Sequence, residues 1–138
     1  MAYEESLRAV SLNVDSSLAV ATGVAGTTGA TDPNYGQQYL AVKITGVNQV
    51  GLAVTKASDL CVGVLQNKPQ VTGQAGTVAF SGYTNMRVGT GGLTAGQAVT
   101  FDSSGRGISG TVGTDKIIGI AVTTSTTANT LAVVALQI

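Results

Sequence analysis

The side chains that could carry out catalysis are few in this chain of 138 residues. Histidine is absent, which removes Ser-His-Asp triads, Cys-His pairs and imidazole metal ligands. Cys61 is the only cysteine, so neither an internal disulfide nor a multi-cysteine zinc site can form. It lies within an apolar run (LCVGVL, residues 60–65) that holds no base to activate a thiolate. We therefore predict a buried strand thiol without a catalytic role.

Two aspartates offer weak acid or metal chemistry. Asp102 and Asp115 could form the carboxylate pair of a glycosidase, but both lie in Gly/Ser-rich loop sequence without an aromatic sugar platform. The stretch DSSGRG (residues 102–107) holds one carboxylate, where a calcium loop needs several. We predict a hairpin turn here, in which Asp102 bonds the turn backbone and Gly105 adopts a positive φ.

Phosphate and nucleic-acid binding lack their usual signals. The GTGG stretch at residues 89–92 is followed by neither a Lys-Ser/Thr pair nor a helix, so the phosphate-cradling mechanism is missing. The basic residues of the second part of the chain are scattered and do not interleave with the two Phe and four Tyr. We predict no catalytic residue, no cofactor, no metal and no nucleic-acid partner, and therefore no enzyme.

Composition limits the class of protein further. Only 10% of residues are charged and the formal net charge is zero, so no overall field attracts nucleic acid or acidic lipid. The first residues are acidic and lack the apolar segment of a signal peptide, and no run approaches the roughly 18 apolar residues of a membrane helix. We expect a globular protein that is made and kept in a cytoplasm and has no membrane partner.

The neutral total hides two oppositely charged parts. Residues 1–38 hold one arginine against four acidic residues, a net charge of −3, and residues 39–138 hold six basic against three acidic residues, a net charge of +3. Residues 22–36 are rich in Gly and Thr, as in a linker. We predict an N-terminal arm and linker at 1–38, followed by a β domain at 39–138.

Short apolar runs separated by glycine-rich turns predict an all-β fold for the second part, a small β-sandwich or barrel. Leu40, Val42 and Ile44 alternate with polar or small residues, which is the period of a half-buried strand. Further strands are predicted at residues 52–55, 60–65, 77–80, 85–88, 98–101, 117–123 and 131–137.

A faint internal repeat accompanies these strands. Residues 51–55 (GLAVT) match 96–100 (GQAVT) at an offset of 45, and residues 62–64 (VGV) match 118–120 (IGI) at an offset of 56. An insertion of 11 residues at 103–114 would reconcile the two offsets, although small residues in strands also match by chance. A real repeat would make two similar β units, each with a glycine inside its central strand for close backbone approach.

The arm permits two interpretations. Val10, Leu12 and Val14 alternate as in a strand, whereas Leu7, Val10, Val14 and Leu18 also fit one face of a helix. The intervening Asn, Asp and Ser residues are poor helix formers, which favours an extended segment. Such a segment cannot bury its own apolar residues, so we expect it to pack against its own barrel or against a neighbouring molecule.

The order of these strand and glycine motifs resembles one family, the small capsid-cement or head-decoration proteins of tailed bacteriophages. The resemblance covers about residues 39–138, and the order of the motifs carries it more than any one residue. The motifs are YLAVKITG (39–46), GLAVT (51–55), CVGVLQNKP (61–69), AGTV (75–78), GLTAGQAVT (92–100) and IGIA (118–121).

The resemblance implies a structural virion protein on the outside of an expanded capsid, assembled in the host cytoplasm. It implies major capsid protein as the partner and self-association as a homotrimer at three-fold and local three-fold positions. From exposed apolar or basic character we then expect capsid or subunit contacts on the arm at Tyr3, Leu7, Arg8, Val10, Leu12 and Val14. Further contacts are expected on loops at Asn67, Lys68, Pro69, Tyr83 and Arg87.

Two other functions remain open at this point. One is a different virion part, such as a fibre, a tail component or a host-contact module. The other is a ligand-binding β-barrel, against which stands the small number of aromatic residues.

Overall fold

Nine β-strands make up the regular structure of the described part of this chain. A computed structural model describes residues 7–19 and 36–138, and no helix is found among these residues. The prediction of an all-β barrel fold with an extended N-terminal segment is therefore confirmed. The strands are β1 (Arg8–Val14), β2 (Ala41–Gly46), β3 (Gln49–Leu52), β4 (Cys61–Leu65), β5 (Ala75–Arg87), β6 (Ala98–Phe101), β7 (Gly107–Ser109), β8 (Gly119–Ala121) and β9 (Leu131–Gln137).

The strands follow the alternation of the sequence. In β9 the side chains of Ala132, Val134 and Leu136 are buried, and those between them are half-buried. The predicted ranges for β6 and β9 match the structure residue for residue, whereas β3 begins three residues earlier than predicted. The predicted strands at 77–80 and 85–88 are parts of one long strand, β5, and β7 escaped prediction because three residues carry too little pattern.

Five of the strands close a barrel. The order in the sheet is β1-β3-β2-β4-β5-β9-β8-β6-β7, and an additional pairing of β1 with β5 joins the first five into a ring. The β1–β3 pair is parallel and the other pairs are antiparallel. The predicted arm thus supplies a strand to the barrel of its own chain, and its residues Val14 and Leu18 are fully buried there.

The remaining strands form a second, partly open barrel. The 13 residues of β5 pair with β1 and β4 in the first half of the strand and with β9 in the second half. From β9 the pairing continues through β8 and β6 to β7. A parallel bridge between Val88 and Gly107 joins β7 back to the end of β5. Gly82, with a φ of 97°, lies where β5 passes from one barrel to the other.

The two barrels are structural repeats. In the first, Val64 of β4 pairs with Ala79 of β5; in the second, Ile120 of β8 pairs with Ala135 of β9, 56 residues later in both strands. Repeat 1 comprises β1 to β4 and residues 75–81, and repeat 2 comprises residues 82–88 and β6 to β9. The predicted equivalence of the VGV and IGI segments therefore holds in three dimensions.

The registers of the β2–β3 and β6–β7 hairpins show how the other strands of the two repeats correspond. Val42 pairs with Leu52 in the β2–β3 hairpin, and Val99 pairs with Ser109 in the β6–β7 hairpin, 57 residues later in both strands. The counterpart of β6 is therefore β2 and not the 51–55 segment, which makes the predicted alignment at an offset of 45 wrong. Offsets of 57 and 56 leave no place for an 11-residue insertion at 103–114.

The counterpart of β1 is the second half of β5. Val14 is bridged in parallel to Val50, as Val88 is to Gly107. Gly73 N–H donates to Val14 O at 2.8 Å, and Asn129 N–H donates to Val88 O at 2.7 Å. The repeats differ in the connection that follows, which comprises residues 15–40 in repeat 1 and residues 89–97 in repeat 2.

The buried apolar residues of the described ranges form two clusters. The smaller cluster lies inside the first barrel and contains Val14, Leu18, Val42, Val50, Leu65 and Val78. The larger cluster combines the interior of the second barrel, including Phe101, Val99 and Val134, with Ala41, Val64 and Ala79 from the outer face of the first barrel. The barrels are thus packed against each other through a shared core.

Candidate interaction surface

Two short loops with the same internal bonding lie side by side on this protein. In the first, Asp59 N–H donates to Thr55 O at 2.8 Å, and Asp59 Oδ2 accepts from Thr55 N–H at 2.9 Å. In the second, Asp115 N–H donates to Thr111 O at 2.9 Å, and Asp115 Oδ2 accepts from Thr111 N–H at 2.8 Å. Each aspartate therefore closes one turn of backbone with its own carboxylate, as is usual in tight turns.

Contacts between the repeats join these two loops. Lys116 N–H donates to Lys56 O at 2.8 Å, and Lys56 Nζ lies 3.2 Å from Asp115 Oδ2. The Asp115 side chain is almost completely buried, whereas the Lys56 side chain is 45% exposed, so solvent screens this ion pair in part. We call residues 53–60 and 110–116 together the loop platform.

The loop platform presents apolar side chains to solvent. Leu60 is 70% exposed and Val112 is 78% exposed, and Val54 is exposed as well. These values are high for residues of this size, although single exposed apolar residues are common on soluble proteins. These three side chains lie on two adjacent loops, each closed by an aspartate and joined to the other by an ion pair. Such a placement suits a rigid contact surface.

The acidic groups of the platform are held in their charged forms. The Lys43 ammonium, 2.9 Å from Asp59 Oδ1, and the N–H groups of Val54 and Thr55 lower the pKa of Asp59 from 3.8 to about 2. A bond from Thr111 N–H and the nearby Lys56 also lower the pKa of Asp115. Both carboxylates are therefore ionised at neutral pH, where they bond the turn backbone and lysine side chains.

The other groups considered for chemistry are also engaged in structure. Asp102 Oδ1 accepts bonds from Ser104 N–H and Arg106 N–H, and Gly105 has a φ of 73°, as predicted for the hairpin turn. Arg106 also forms an ion pair with Asp102 at 2.8 Å. Cys61 is buried in β4, as predicted, and this burial raises the pKa of its thiol to about 11.

Of the predicted arm contacts, Arg8, Val10, Leu12 and Val14 lie on β1, Leu7 directly precedes it, and Tyr3 falls outside the described residues. Leu7, Arg8 and Val10 are exposed, and Leu12 is half-buried against the core of the first barrel. Val14 is fully buried inside that barrel, so its expected surface contact is corrected. The cause is strand alternation, which places the Val14 side chain on the face of β1 that packs against Val50 and Val78 inside the barrel.

The predicted loop contacts fall into two places. Asn67, Lys68 and Pro69 follow β4, where the Asn67 side chain bonds Ala75 O and Thr77 N–H and so fixes the loop. Lys68 is exposed, but Pro69 is buried, which corrects its expected exposure.

Tyr83 and Arg87 lie on strand β5 and not on a loop. Tyr83 is exposed, whereas the Arg87 side chain is buried, with Nη2 donating to Gly36 O at 2.7 Å and to Gln38 O at 3.3 Å. The expectation of an exposed Arg87 is therefore corrected. Its guanidinium ties the chain before β2 to the second barrel, because a buried cation needs carbonyl acceptors.

Sequence reasoning missed the residues of the loop platform. Leu60 belongs to the apolar run that predicts a strand at 60–65, and Val112 is a single apolar residue between Gly and Thr residues, so the sequence marks neither as an exposed contact residue. The available signal was the shared spacing of Thr55 and Asp59 with Thr111 and Asp115, which recurs at an offset of 56. That spacing marks both loops as copies of one structure.

Comparison with known proteins gives no assignment. No family model matches the chain, and no curated protein matches it. Within the part of the chain that the structure describes, no three metal-ligating side chains are grouped together. No helix capable of crossing a bilayer is found in residues 7–19 and 36–138.

Proposed function

We propose that this protein is a structural virion component that binds the outer surface of an expanded phage capsid and cements neighbouring major capsid subunits, as a trimer at three-fold and local three-fold positions. The order of strand and glycine motifs supports this proposal, because it resembles that of capsid-cement proteins. The carrying observation is the loop platform, an exposed apolar surface held on a rigid pair of barrels.

The electrostatics of the described residues agree with a permanent protein–protein contact. Asp59, Asp102 and Asp115 are each paired with a lysine or arginine of the same chain. A surface with few unpaired charges costs less to desolvate when it is covered by another protein. Attachment through apolar loops then requires few charged or polar groups on the partner to offset the cost of desolvation.

Cementing follows from multivalency and state selection. A trimer over a junction engages several capsid subunits at once, so that weak individual contacts combine into stable attachment. Binding to the expanded lattice in preference to the unexpanded one stabilises the expanded state by mass action. The protein would then resist the pressure of packaged DNA without catalysing anything.

The test uses heads of the source phage, isolated before and after expansion and stripped of this protein. We expect the full chain to co-sediment with expanded heads and to raise their melting temperature. Leu60→Asp and Val112→Asp should weaken binding at least 10-fold, because each places a charge in the apolar contact. Val71→Asp is the matched control, since Val71 is an exposed valine outside the platform and should leave binding unchanged.

Other outcomes would contradict the proposal in different ways. Equal binding to unexpanded heads, or binding without a thermal effect, would argue against a cementing role. Antibody labelling of the tail and not of the head would indicate a fibre, a tail component or a host-contact module instead. Unchanged binding by both platform variants would exclude the loop platform as the contact.

A further inference from the structure

The outer face of the first barrel carries a row of small apolar residues that is completely covered. Ala41, Val64 and Ala79 pair across β2, β4 and β5, and all three are fully buried. Their neighbours Val42, Leu65 and Val78 face the barrel interior, so by strand alternation this row points outward. We call these three residues the covered row.

The second barrel supplies the cover. The covered row belongs to the same apolar cluster as Met86, Val88 and Phe101 of repeat 2. The turn of the β6–β7 hairpin approaches this face, since Gly105 O accepts from Ala41 N–H at 2.8 Å. The β6–β7 hairpin of repeat 2 is thus seated on the outer row of repeat 1.

The same row exists in repeat 2, where it is open to solvent. Ala98, Ile120 and Ala135 pair across β6, β8 and β9 at the positions that correspond to the covered row. Ile120 is 39% exposed and the two alanines are half-buried. Tyr83, which pairs with Ala135, extends the row and is exposed. We call Ala98, Ile120 and Ala135 the open row.

The β2–β3 hairpin of repeat 1 is likewise exposed to solvent. Ile44 of β2 corresponds to Phe101 of β6, yet Ile44 is 53% exposed while Phe101 is fully buried. Val47, at the turn between β2 and β3, is 95% exposed. Among the described residues, one row and one hairpin are therefore used inside the molecule, and one row and one hairpin of the same types are exposed.

The contact between the two repeats is heterologous, because it joins two different surfaces, the covered row of repeat 1 and the β6–β7 hairpin of repeat 2. Had the repeats been related by a two-fold axis, both rows and both hairpins would be buried equally. A head-to-tail contact instead leaves one complementary pair of surfaces free, and those surfaces can meet only on a second molecule. We propose that the open row binds the β2–β3 hairpin of a second copy of this chain, repeating between molecules the contact that joins the barrels within one.

The proposed contact between molecules lacks some of the backbone hydrogen bonds that join the two barrels within one molecule. Inside the chain, Arg87 N–H donates to Tyr39 O and Ala41 N–H donates to Gly105 O. In repeat 1 the corresponding groups, Asn13 N–H and Asn48 O, bond each other at 2.8 Å. The copy-to-copy contact rests on apolar burial, so it is reversible and depends on protein concentration.

The inference deepens the self-association in the proposed function, and its test needs no capsid, so the two can fail separately. The full chain is examined by sedimentation velocity and light scattering over a 100-fold range of concentration. We expect multimers that dissociate on dilution. Ile120→Asp should remove association from the open-row side, and Val47→Asp or Ile44→Asp should remove it from the hairpin side. Val71→Asp should associate like the unaltered chain.

Mixing the two kinds of variant provides the sharpest outcome. Ile120→Asp keeps an intact hairpin and Val47→Asp keeps an intact open row, so a mixture should form a one-to-one dimer and nothing larger. Circular dichroism spectra and melting temperatures close to those of the unaltered chain establish that each variant is folded. Val47 is so exposed that its substitution leaves the core untouched.

Three results would overturn the inference. The first is an unaltered chain that stays monomeric at every concentration. The second is an Ile120→Asp variant that associates as the unaltered chain does. The third is a pair of monomeric variants that fail to form a dimer when mixed, which would show that both substitutions lie in one self-complementary patch.

Discussion

Gly63 and Gly119 show how two single residues permit both barrels to close. A Cβ placed at Gly63 would lie 2.2 Å from Ala79 O, and one at Gly119 would lie 2.3 Å from Ala135 O. Backbone atoms of a paired strand cannot give way as the end of a flexible side chain can. The glycine inside each central strand therefore allows the close approach of β4 to β5 and of β8 to β9.

Substitution of these glycines tests the repeat at the scale of one residue. Gly63→Ala and Gly119→Ala should each lower the free energy of unfolding by about 3 kcal/mol, because the added methyl group forces the strands apart. Urea denaturation at equilibrium measures the change. A loss below about 0.5 kcal/mol in either variant would contradict the packing described.

Gly73→Asn is the matched control. Gly73 has a φ of 87° with no atom near its missing Cβ, and its counterpart Asn129 adopts a φ of 66°. Since asparagine tolerates this backbone conformation, the variant should change stability by less than about 0.5 kcal/mol.

At the scale of the element, the two aspartate-closed loops link electrostatics to stability. The pKa of Asp59 is about 2 in the folded protein, below its ordinary 3.8, because Lys43 and the backbone N–H groups of Val54 and Thr55 favour the carboxylate. A lowered folded-state pKa stabilises the fold above the unfolded pKa. That stabilisation is lost as pH falls through the folded pKa.

Acid titration of stability checks this linkage. The melting temperature should fall as pH decreases from 3.8 toward about 2, the window set by the two pKa values of Asp59. Asp59→Asn keeps an oxygen that can accept the Val54 and Thr55 N–H bonds but cannot titrate, so its melting temperature should fall less over that window. Identical slopes for the two proteins would exclude a contribution from Asp59.

Strand β5 is the element that makes one body of two repeats. It holds 13 residues and pairs with β1 and β4 in one barrel and with β9 in the other. The sequence predicted two strands here, because Gly82 lies between the run at 77–80 and the run at 85–88. Only the pairing partners on both sides show that the strand is continuous.

At the scale of the whole molecule, the shared strand and shared core predict a single cooperative transition. Residues of both barrels belong to one apolar cluster, so loss of one barrel exposes the core of the other. Urea unfolding followed by circular dichroism and by hydrogen exchange at β3 and β8 should give coincident midpoints. Loss of exchange protection in one barrel at a lower urea concentration than in the other would contradict this expectation.

Both proposals concern contact between proteins and involve no catalytic step. The described carboxylates of the platform are paired, and exposed apolar groups lie on loops and sheet faces. In the two proposals, the loop platform would be the surface for a capsid, and the open row and the β2–β3 hairpin would be two more surfaces for copies of the same chain. Association through several surfaces at once is what a lattice-binding protein requires.

The sequence by itself determined the all-β class, most strand positions, the buried Cys61 and the Asp102 turn. These features depend on local alternation, turn chemistry and burial tendency, which short stretches of sequence express fully. The internal repeat was also visible at the VGV and IGI segments, although similarity among small residues placed β6 opposite the wrong partner. Strand register depends on cross-strand pairs that no single segment contains.

The tertiary structure alone decided which apolar residues are covered. Val14, Pro69 and Arg87 resemble surface candidates in sequence, yet the fold buries them. Val64 and Ile120 occupy equivalent strand positions, and only Val64 meets the other barrel. Covering depends on which faces the chain brings together across long separations, and that is a property of the packed barrels rather than of any local pattern.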